Sequence, residues 1–253
     1  MKNIVSKRYH LLDSVRGVTM LSMILYHATY DLVYLYNVTL GWFDSLLGYA
    51  WQQSICWIFI FLSGMCWSLN SHPLKRGLLV SSLGILISFT TSIFLPDQLI
   101  LFGILTFMGM TTLLMIPLHK LFIKMNPILG AFFSFLFFFL VRNLNNGFLG
   151  FENLHILKIP NIFYKIPLLF MIGLPSSSFR SFDYFSLFPW IFLYTAGFFT
   201  WNSIKDNNVI LKLFTCRFYP IEVIGKHTLS IYMLHQPILI GIFELVNAVV
   251  KLT

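Results

Sequence analysis

The most constraining feature of this sequence is a series of apolar runs, each close to 20 residues long. A helix needs about 20 residues to cross the hydrocarbon core of a bilayer, which is about 30 Å thick. Segments that reach or nearly reach this length lie at 14–36, 50–69, 76–95, 98–118, 127–141, 184–201 and 223–249. The pattern predicts an all-α fold, a polytopic transmembrane helical bundle of about seven spans.

An eighth apolar segment, 162–174, is shorter and contains Pro167. Gly173 and Pro175 follow at its end, where a helix would stop. We expect this segment to be re-entrant or half-spanning rather than a full span. There is no internal repeat or low-complexity linker, so residues 1–253 are predicted to form a single integral-membrane domain.

The composition supports a membrane protein. Hydrophobic residues make up 57% of the chain and charged residues only 10%, whereas soluble domains carry about 25% charged residues. The net charge of +8 is divided among short basic clusters between the apolar runs, which is a signal of membrane topology. We therefore expect membrane lipid, and no nucleic acid, among the partners.

The placement of Lys and Arg predicts the orientation. Basic residues cluster in alternate loops, and such loops face the cytoplasm; they include Lys2, Lys7, Arg8, Lys75, Arg76, Lys120, Lys124, Lys205, Lys212, Arg217 and Lys226. The loop 37–49 has no Lys or Arg and contains Trp42, which suits the outer interface. The sequence predicts an integral protein of the cytoplasmic membrane with a cytoplasmic N-terminus.

Ionisable residues inside a span are costly and mark function by default. The first span has Arg16, His27 and Asp31 on one helical face, and Asp13 lies one turn before Arg16. His27 is about 16 Å along the axis from Arg16. His27 and Asp31 are at i and i+4, within reach of a hydrogen bond, and a carboxylate there would orient the imidazole for acid–base or nucleophilic chemistry.

Two other interpretations of this pair stay open. The residues could form a structural ion pair, or His27 could be a buried histidine with its hydrogen bonds satisfied. A metal site is not expected, since two ligands are too few and the sequence offers no third.

The last span has a second histidine, His235, followed by Gln236 and Pro237. Proline inside a helix frees a carbonyl and tends to kink the axis, which predicts a polar cavity; a histidine bonded across helices is the alternative.

Three further residues are weaker candidates for binding a polar acceptor: Gln53, at the outer end of the second span, and Arg180 and Asp183, just before 184–201. An interfacial ion pair between Arg180 and Asp183 is the alternative for those two.

Several sequence blocks together resemble a known family. They are RYHLLDSVRG, YHATYDL, WIFIFLSGM, ILFGILTFMGM, DYFSLFPWIFLYTAGF and GKHTLSIYMLHQPIL, in this order. The set is similar to the bacterial branch of the heparan-α-glucosaminide N-acetyltransferase catalytic-domain family, which belongs to the transmembrane acyltransferases. The resemblance covers nearly the whole chain.

The resemblance implies a bacterial membrane enzyme that takes an acetyl group from cytosolic acetyl-CoA. The acceptor would be an amino or hydroxyl group of an extracytoplasmic sugar or glycan; a homodimer stays open. His27 corresponds to the first-helix histidine of the family, which is expected to be the catalytic base or the acyl carrier. His235 and Gln236 correspond to the family's His-Gln-Pro motif in the last helix. Asp13 and Arg16 correspond to the Leu-Asp-x-x-Arg-Gly stretch at the cytoplasmic entrance.

One position departs from the family, since Thr106 stands where bacterial members often have histidine. The resulting hypothesis has catalytic His27, Asp31 and His235, with Asp13, Arg16, Lys75 and Arg76 at the acetyl-CoA end. The predicted acceptor-binding residues are Gln53, Arg180, Asp183 and Gln236. Two rival functions stay open: a proton-coupled small-molecule transporter and a non-catalytic membrane assembly protein.

Overall fold

The computed structural model describes residues 8–252, and of Val250, Lys251 and Leu252 only the backbone. Lys2 and Lys7, used above to predict the orientation, lie outside the described residues. The α-helices are α1 His10–Tyr34, α2 Leu46–Trp67, α3 Pro73–Phe94, α4 Ile104–Phe122, α5 Pro127–Leu140, α6 Leu187–Ile204, α7 Asn208–Leu213, α8 Tyr219–Lys226 and α9 Thr228–Leu252. A small antiparallel hairpin joins β1 Phe148–Phe151 to β2 Leu154–Lys158.

Within the described part of the chain, five helical segments are long and apolar enough to cross a membrane: Leu46–Trp67, Pro73–Phe94, Ile104–Phe122, Pro127–Asn146 and Thr228–Val249. The predicted spans 14–36 and 184–201 correspond to α1 and α6, which are not among these five segments. These findings confirm an all-α, polytopic helical membrane protein. The short fifth span gains length from a 3₁₀ turn at Leu144–Asn146.

Two parts of the chain are divided into shorter helices. Segment 162–174 forms two 3₁₀ helices, Asn161–Lys165 and Pro167–Ile172, and its re-entrant or half-spanning placement stays a prediction. The proline at 167 can begin a helical turn but cannot continue one, because it lacks an N–H. The predicted last span 223–249 is also divided, since α8 ends at Lys226 before α9 begins.

The chain divides into two compact units, one of Met1–Phe59 with Asp206–Thr253 and the other of Ile60–Lys205. The assignment of the whole chain to a single domain stays a prediction. In the first unit, α1 packs closely against α8. A Cβ added at Gly17 would lie 2.1 Å from the Ile221 carbonyl oxygen, and one at Gly225 would lie 1.7 Å from that of Asp13.

The second unit has its core around α6, which is almost entirely buried. Small residues let helices approach one another within a membrane, and the sequence predicts such contacts in the second and fourth spans. They are confirmed where Gly64 faces the Tyr194 carbonyl of α6 and where Gly109 faces Ser81 of α3.

Candidate functional site

Polar side chains of α1 and α9 meet inside the first unit. The rings of His27 and His235 have their centroids 4.8 Å apart. The Gln236 side-chain nitrogen donates to both carboxylate oxygens of Asp31, at 3.0 Å each. Asp31 is 1% exposed and His235 is 8% exposed. The two candidate histidines and the candidate carboxylate therefore lie in one buried cluster, which we call the His–Asp cluster: His27, Asp31, His235 and Gln236.

The expected hydrogen bond between His27 and Asp31 does not form. Asp31 receives both of its side-chain hydrogen bonds from α9, and His27 packs beside His235 instead. The i,i+4 spacing places the two residues on one face, but the neighbouring helix supplies a donor that reaches the carboxylate from across the interface.

His235 has a tautomer that its neighbours define. Its Nδ1 lies 2.6 Å from the Tyr232 carbonyl oxygen, which can only accept, so Nδ1 carries a proton. In the neutral ring the lone pair is then on Nε2. Within the described chain this Nε2 is buried with no hydrogen-bond partner, and so is the Gln236 Oε1. The His–Asp cluster thus presents two buried acceptor atoms.

Pro237 follows directly on this cluster inside α9. Proline has no N–H to donate, so the carbonyl of Met233, one turn earlier, loses its helical partner. The backbone next to the His–Asp cluster therefore adds a further acceptor, and the polar cavity expected from the His-Gln-Pro motif stays a prediction.

The acidic and basic residues at the start of α1 form ion pairs. Asp13 is buried and accepts from Arg8 at 2.9 Å and from Arg16 at 3.2 Å. The candidate donor-site residues Lys75 and Arg76 lie elsewhere, exposed in the first turn of α3 in the second unit.

A second ion cluster was missed by the sequence analysis. Glu222 of α8 is fully buried. Its carboxylate pairs with the His10 ring at 2.9 Å, with the Arg217 guanidinium at 3.0 Å and with the Lys226 ammonium. The Lys226 hydrogen bond, with those of His10 and Arg217, lowers the pKa of the Glu222 carboxyl to about 2, although burial opposes the shift. The i,i+4 spacing of Glu222 and Lys226 was the sequence signal available for it.

The four weaker acceptor-site candidates all have partners of their own. Gln53 accepts a bond from Trp57 at 3.1 Å, and Gln236 holds Asp31. Arg180 donates to two backbone carbonyls in its own loop. Asp183 accepts from the Ile104 N–H at 3.1 Å, at the start of α4.

The alternative that Arg180 and Asp183 form an ion pair is therefore wrong. A helix start exposes N–H groups that attract a carboxylate, and Asp183 turns to α4. Burial raises the pKa of the Asp183 carboxyl to about 6, and the hydrogen bond from Ile104 opposes that rise.

Thr106, where histidine was expected from the family, lies at a close approach of α3 and α4. Its hydroxyl oxygen would be 2.5 Å from a Cβ added at Gly84. Among the described residues this hydroxyl is buried without a hydrogen-bond partner. A larger side chain at position 106 would require the two helices to separate.

The described residues contain no group of three His, Cys, Asp or Glu side chains placed to hold a metal ion. The apolar helices and the buried polar cluster between α1 and α9 define the chain as a helical membrane protein with ionisable groups in its interior. Residues 8–237 match the family model described as heparan-alpha-glucosaminide N-acetyltransferase, catalytic. The chain belongs to this family, and thus to a class of membrane acetyltransferases. None of the curated proteins and none of the solved structures matches it.

Proposed function

We propose that this protein transfers an acetyl group from cytosolic acetyl-CoA to an amino or hydroxyl group of an extracytoplasmic sugar or glycan. The observation that carries the proposal is the His–Asp cluster. Two imidazoles lie 4.8 Å apart beside a carboxylate held by Gln236, and imidazole is the most frequent general base in enzymes. The family match supports the acetyl-transfer chemistry.

In direct transfer, an imidazole nitrogen takes the proton of the acceptor amine or hydroxyl. The freed nitrogen or oxygen attacks the thioester carbonyl of acetyl-CoA, a C–N or C–O bond forms, and the C–S bond breaks. The proton returns to the departing thiolate, which leaves as the CoA thiol. His27 is the proposed base, and the unprotonated Nε2 of His235 is a second atom able to hold the proton.

In the covalent alternative, His27 itself attacks the thioester, a C–N bond forms and the C–S bond breaks, and the ring N–H proton goes to the departing thiolate, which leaves as the CoA thiol. The acceptor then attacks the acetyl-imidazole; His235 takes the acceptor's proton and passes it to His27, which is released as the neutral imidazole. Asp31 stabilises positive charge on the histidines in either route. A cluster that excludes water protects the thioester from hydrolysis.

Acetyl-CoA is proposed to enter from the cytoplasm, where Arg16 would bind its phosphates through charge-assisted hydrogen bonds; a role for Lys75 and Arg76 in donor binding stays a prediction. Arg16 is already oriented by Asp13. The extended pantetheine arm would then cover the distance of about 16 Å along α1 to His27. Acceptor binding by Gln53, Arg180, Asp183 and Gln236 stays a prediction.

The test is acetyl transfer by purified protein from radiolabelled acetyl-CoA to a panel of amino sugars and membrane glycans. We expect His27→Ala to lower kcat by about 10²–10⁴-fold, Asp31→Asn to lower it less, and Arg16→Ala to raise the KM for acetyl-CoA. His155→Ala, an exposed histidine of the hairpin, is the matched control. Full activity of the folded His27 variant, or solute transport with no acetyl-CoA turnover, would overturn the proposal.

A further inference from the structure

The hairpin and the 3₁₀ helices that follow it carry an unusual number of exposed apolar side chains. Every residue of β2 is exposed. The side chains concerned are 47–68% exposed, and together we call them the hairpin surface: Leu154, Ile156, Leu157, Ile162, Ile166 and Leu168. Large side chains of this kind on one short segment mark an interaction site rather than a water-facing surface.

The hairpin surface is fixed to the end of a membrane span. The ring of Phe139, near the end of α5, packs edge-on against Phe151 of β1, with centroids 5.1 Å apart. Two residues beyond α5, the Arg142 guanidinium lies 4.8 Å from the ring centre of Trp190. The span that contains α5 ends at Asn146, and β1 begins two residues later at Phe148, so the hairpin begins where the bilayer core ends.

Large apolar side chains are also exposed along α5, the helix that precedes the hairpin. Phe132, Phe133 and Phe137 of this helix are 42–60% exposed, and the span runs from Pro127 to Asn146. These side chains face lipid in a membrane. The hairpin surface therefore extends a surface that the bilayer already covers.

Backbone hydrogen bonding limits how deep the hairpin can lie. β2 pairs only with β1 in the two-stranded sheet of the described residues, so its outer edge has unpaired N–H and C=O groups. An open sheet edge does not occur in the hydrocarbon core, and an apolar edge in water invites aggregation. The headgroup boundary satisfies both constraints, since it hydrates the backbone and accepts the side chains.

We propose that the hairpin surface inserts into the headgroup–acyl boundary of the bilayer at the C-terminal end of α5, as a membrane-lying element between two spans. Lys158 and Lys165 are exposed within this segment. Lysine stems can lie along apolar surface while their charges reach the headgroups. Lysine is depleted from protein–protein interfaces, so the mixture of Leu, Ile and Lys favours lipid over a second copy of this chain.

The first test measures depth with an environment-sensitive fluorophore. Leu157→Cys or Ile162→Cys, in a Cys56→Ala, Cys66→Ala, Cys216→Ala background, is labelled and reconstituted in phosphatidylcholine vesicles. We expect blue-shifted emission that a shallow spin-labelled lipid quenches more than a deep one. Asn153→Cys, at the exposed hairpin turn, is the matched control and should report water.

A second test needs no substitution. The wild-type protein is irradiated in vesicles that contain a lipid with a photoreactive group near its glycerol, and residues 154–168 are expected to be labelled. Two results would overturn the proposal. In the first, the fluorophores at 157 and 162 report an environment as polar as at 153, and no lipid adducts form. In the second, the blue-shifted emission persists in detergent and disappears when the protein is diluted. The second would assign the surface to another copy of the chain.

Discussion

At the scale of single residues, the carboxylate of Asp31 on α1 is paired with a neighbouring helix rather than along its own helix. The sequence singles out His27, Asp31, His235 and Gln236, and the structure brings these four side chains together. The partner of Asp31, however, is Gln236 of α9, 205 residues away in the chain. The i,i+4 rule considers only neighbours on one helix, so it assigned the carboxylate to His27.

The Asp31–Gln236 bonds give a prediction at this scale. Gln236→Leu removes the side-chain amide that donates to both oxygens of the Asp31 carboxylate, which is 1% exposed. An unsatisfied buried acceptor costs about 1–3 kcal/mol, so the free energy of unfolding in detergent should fall by that amount, and acetyl transfer should weaken. Gln53→Leu is the matched control, since Gln53 is only partly buried on α2. Equal stability of the two variants would contradict the assigned role.

Asp183 gives a prediction about pH. Its pKa is about 6 in the folded protein and 3.8 ordinarily, so the folded state holds the proton more tightly than the unfolded chain. The stabilisation from this group is therefore complete below pH about 4 and is lost as the pH rises through about 6. The contribution of Glu222, whose pKa is lowered, is constant above about pH 4.5.

The measurement is thermal unfolding of the wild type and of Asp183→Asn between pH 4.5 and 7. We expect the wild type to gain stability relative to the variant as the pH falls across this window. The asparagine oxygen can still accept from the Ile104 N–H, so the α4 cap is kept in the control. A difference that does not change with pH would show that the carboxyl keeps its ordinary pKa.

At the scale of elements, α8 was not expected as a separate helix. Its sequence contains Pro220 and begins after a loop, and its apolar residues lead directly into the last span. The break between α8 and α9 follows from packing, since Gly225 lies against the Asp13 carbonyl and Glu222 is held by three basic groups. Neither contact can be read from local hydrophobicity.

Close packing of α1 and α8 gives the prediction for this scale. Gly225→Ala would place a Cβ 1.7 Å from the Asp13 carbonyl oxygen, so the helices must separate. Overpacking of this kind costs about 1–3 kcal/mol, which thermal unfolding should report. Gly241→Ala on α9 has nothing within 4 Å and should be neutral or stabilising by up to about 1 kcal/mol. Equal effects of both substitutions would contradict the close approach.

The hairpin is the other element absent from the sequence prediction. Phe148–Phe151 and Leu154–Lys158 are short apolar runs on either side of Glu152 and Asn153. That pattern suits a tight turn between two strands, but strands of four and five residues are weak signals among spans of about 20. The pairing of these two strands is seen only in the structure, where β1 follows the end of α5.

At the scale of the whole molecule, the orientation gives a prediction that reconstituted or cellular protein can test. If basic loops face the cytoplasm, residue 39 lies outside and residue 71 inside. Both are exposed in loops between helices. We expect an impermeant thiol reagent to label Thr39→Cys in intact cells and Ser71→Cys only after permeabilisation. The unsubstituted protein, with Cys56, Cys66 and Cys216, is the control, and the reverse labelling pattern would invert the topology.

The sequence by itself determined that this is a helical membrane protein, where its long helices lie, and which polar residues are out of place in them. The length of an apolar run is a local property of the chain, so it does not depend on what the helices pack against. Only the tertiary structure decided that Asp31 bonds to Gln236, that His27 faces His235 and that Asp183 caps α4. These contacts depend on the rotation and the axial register of one helix against another, and no single segment of sequence encodes either.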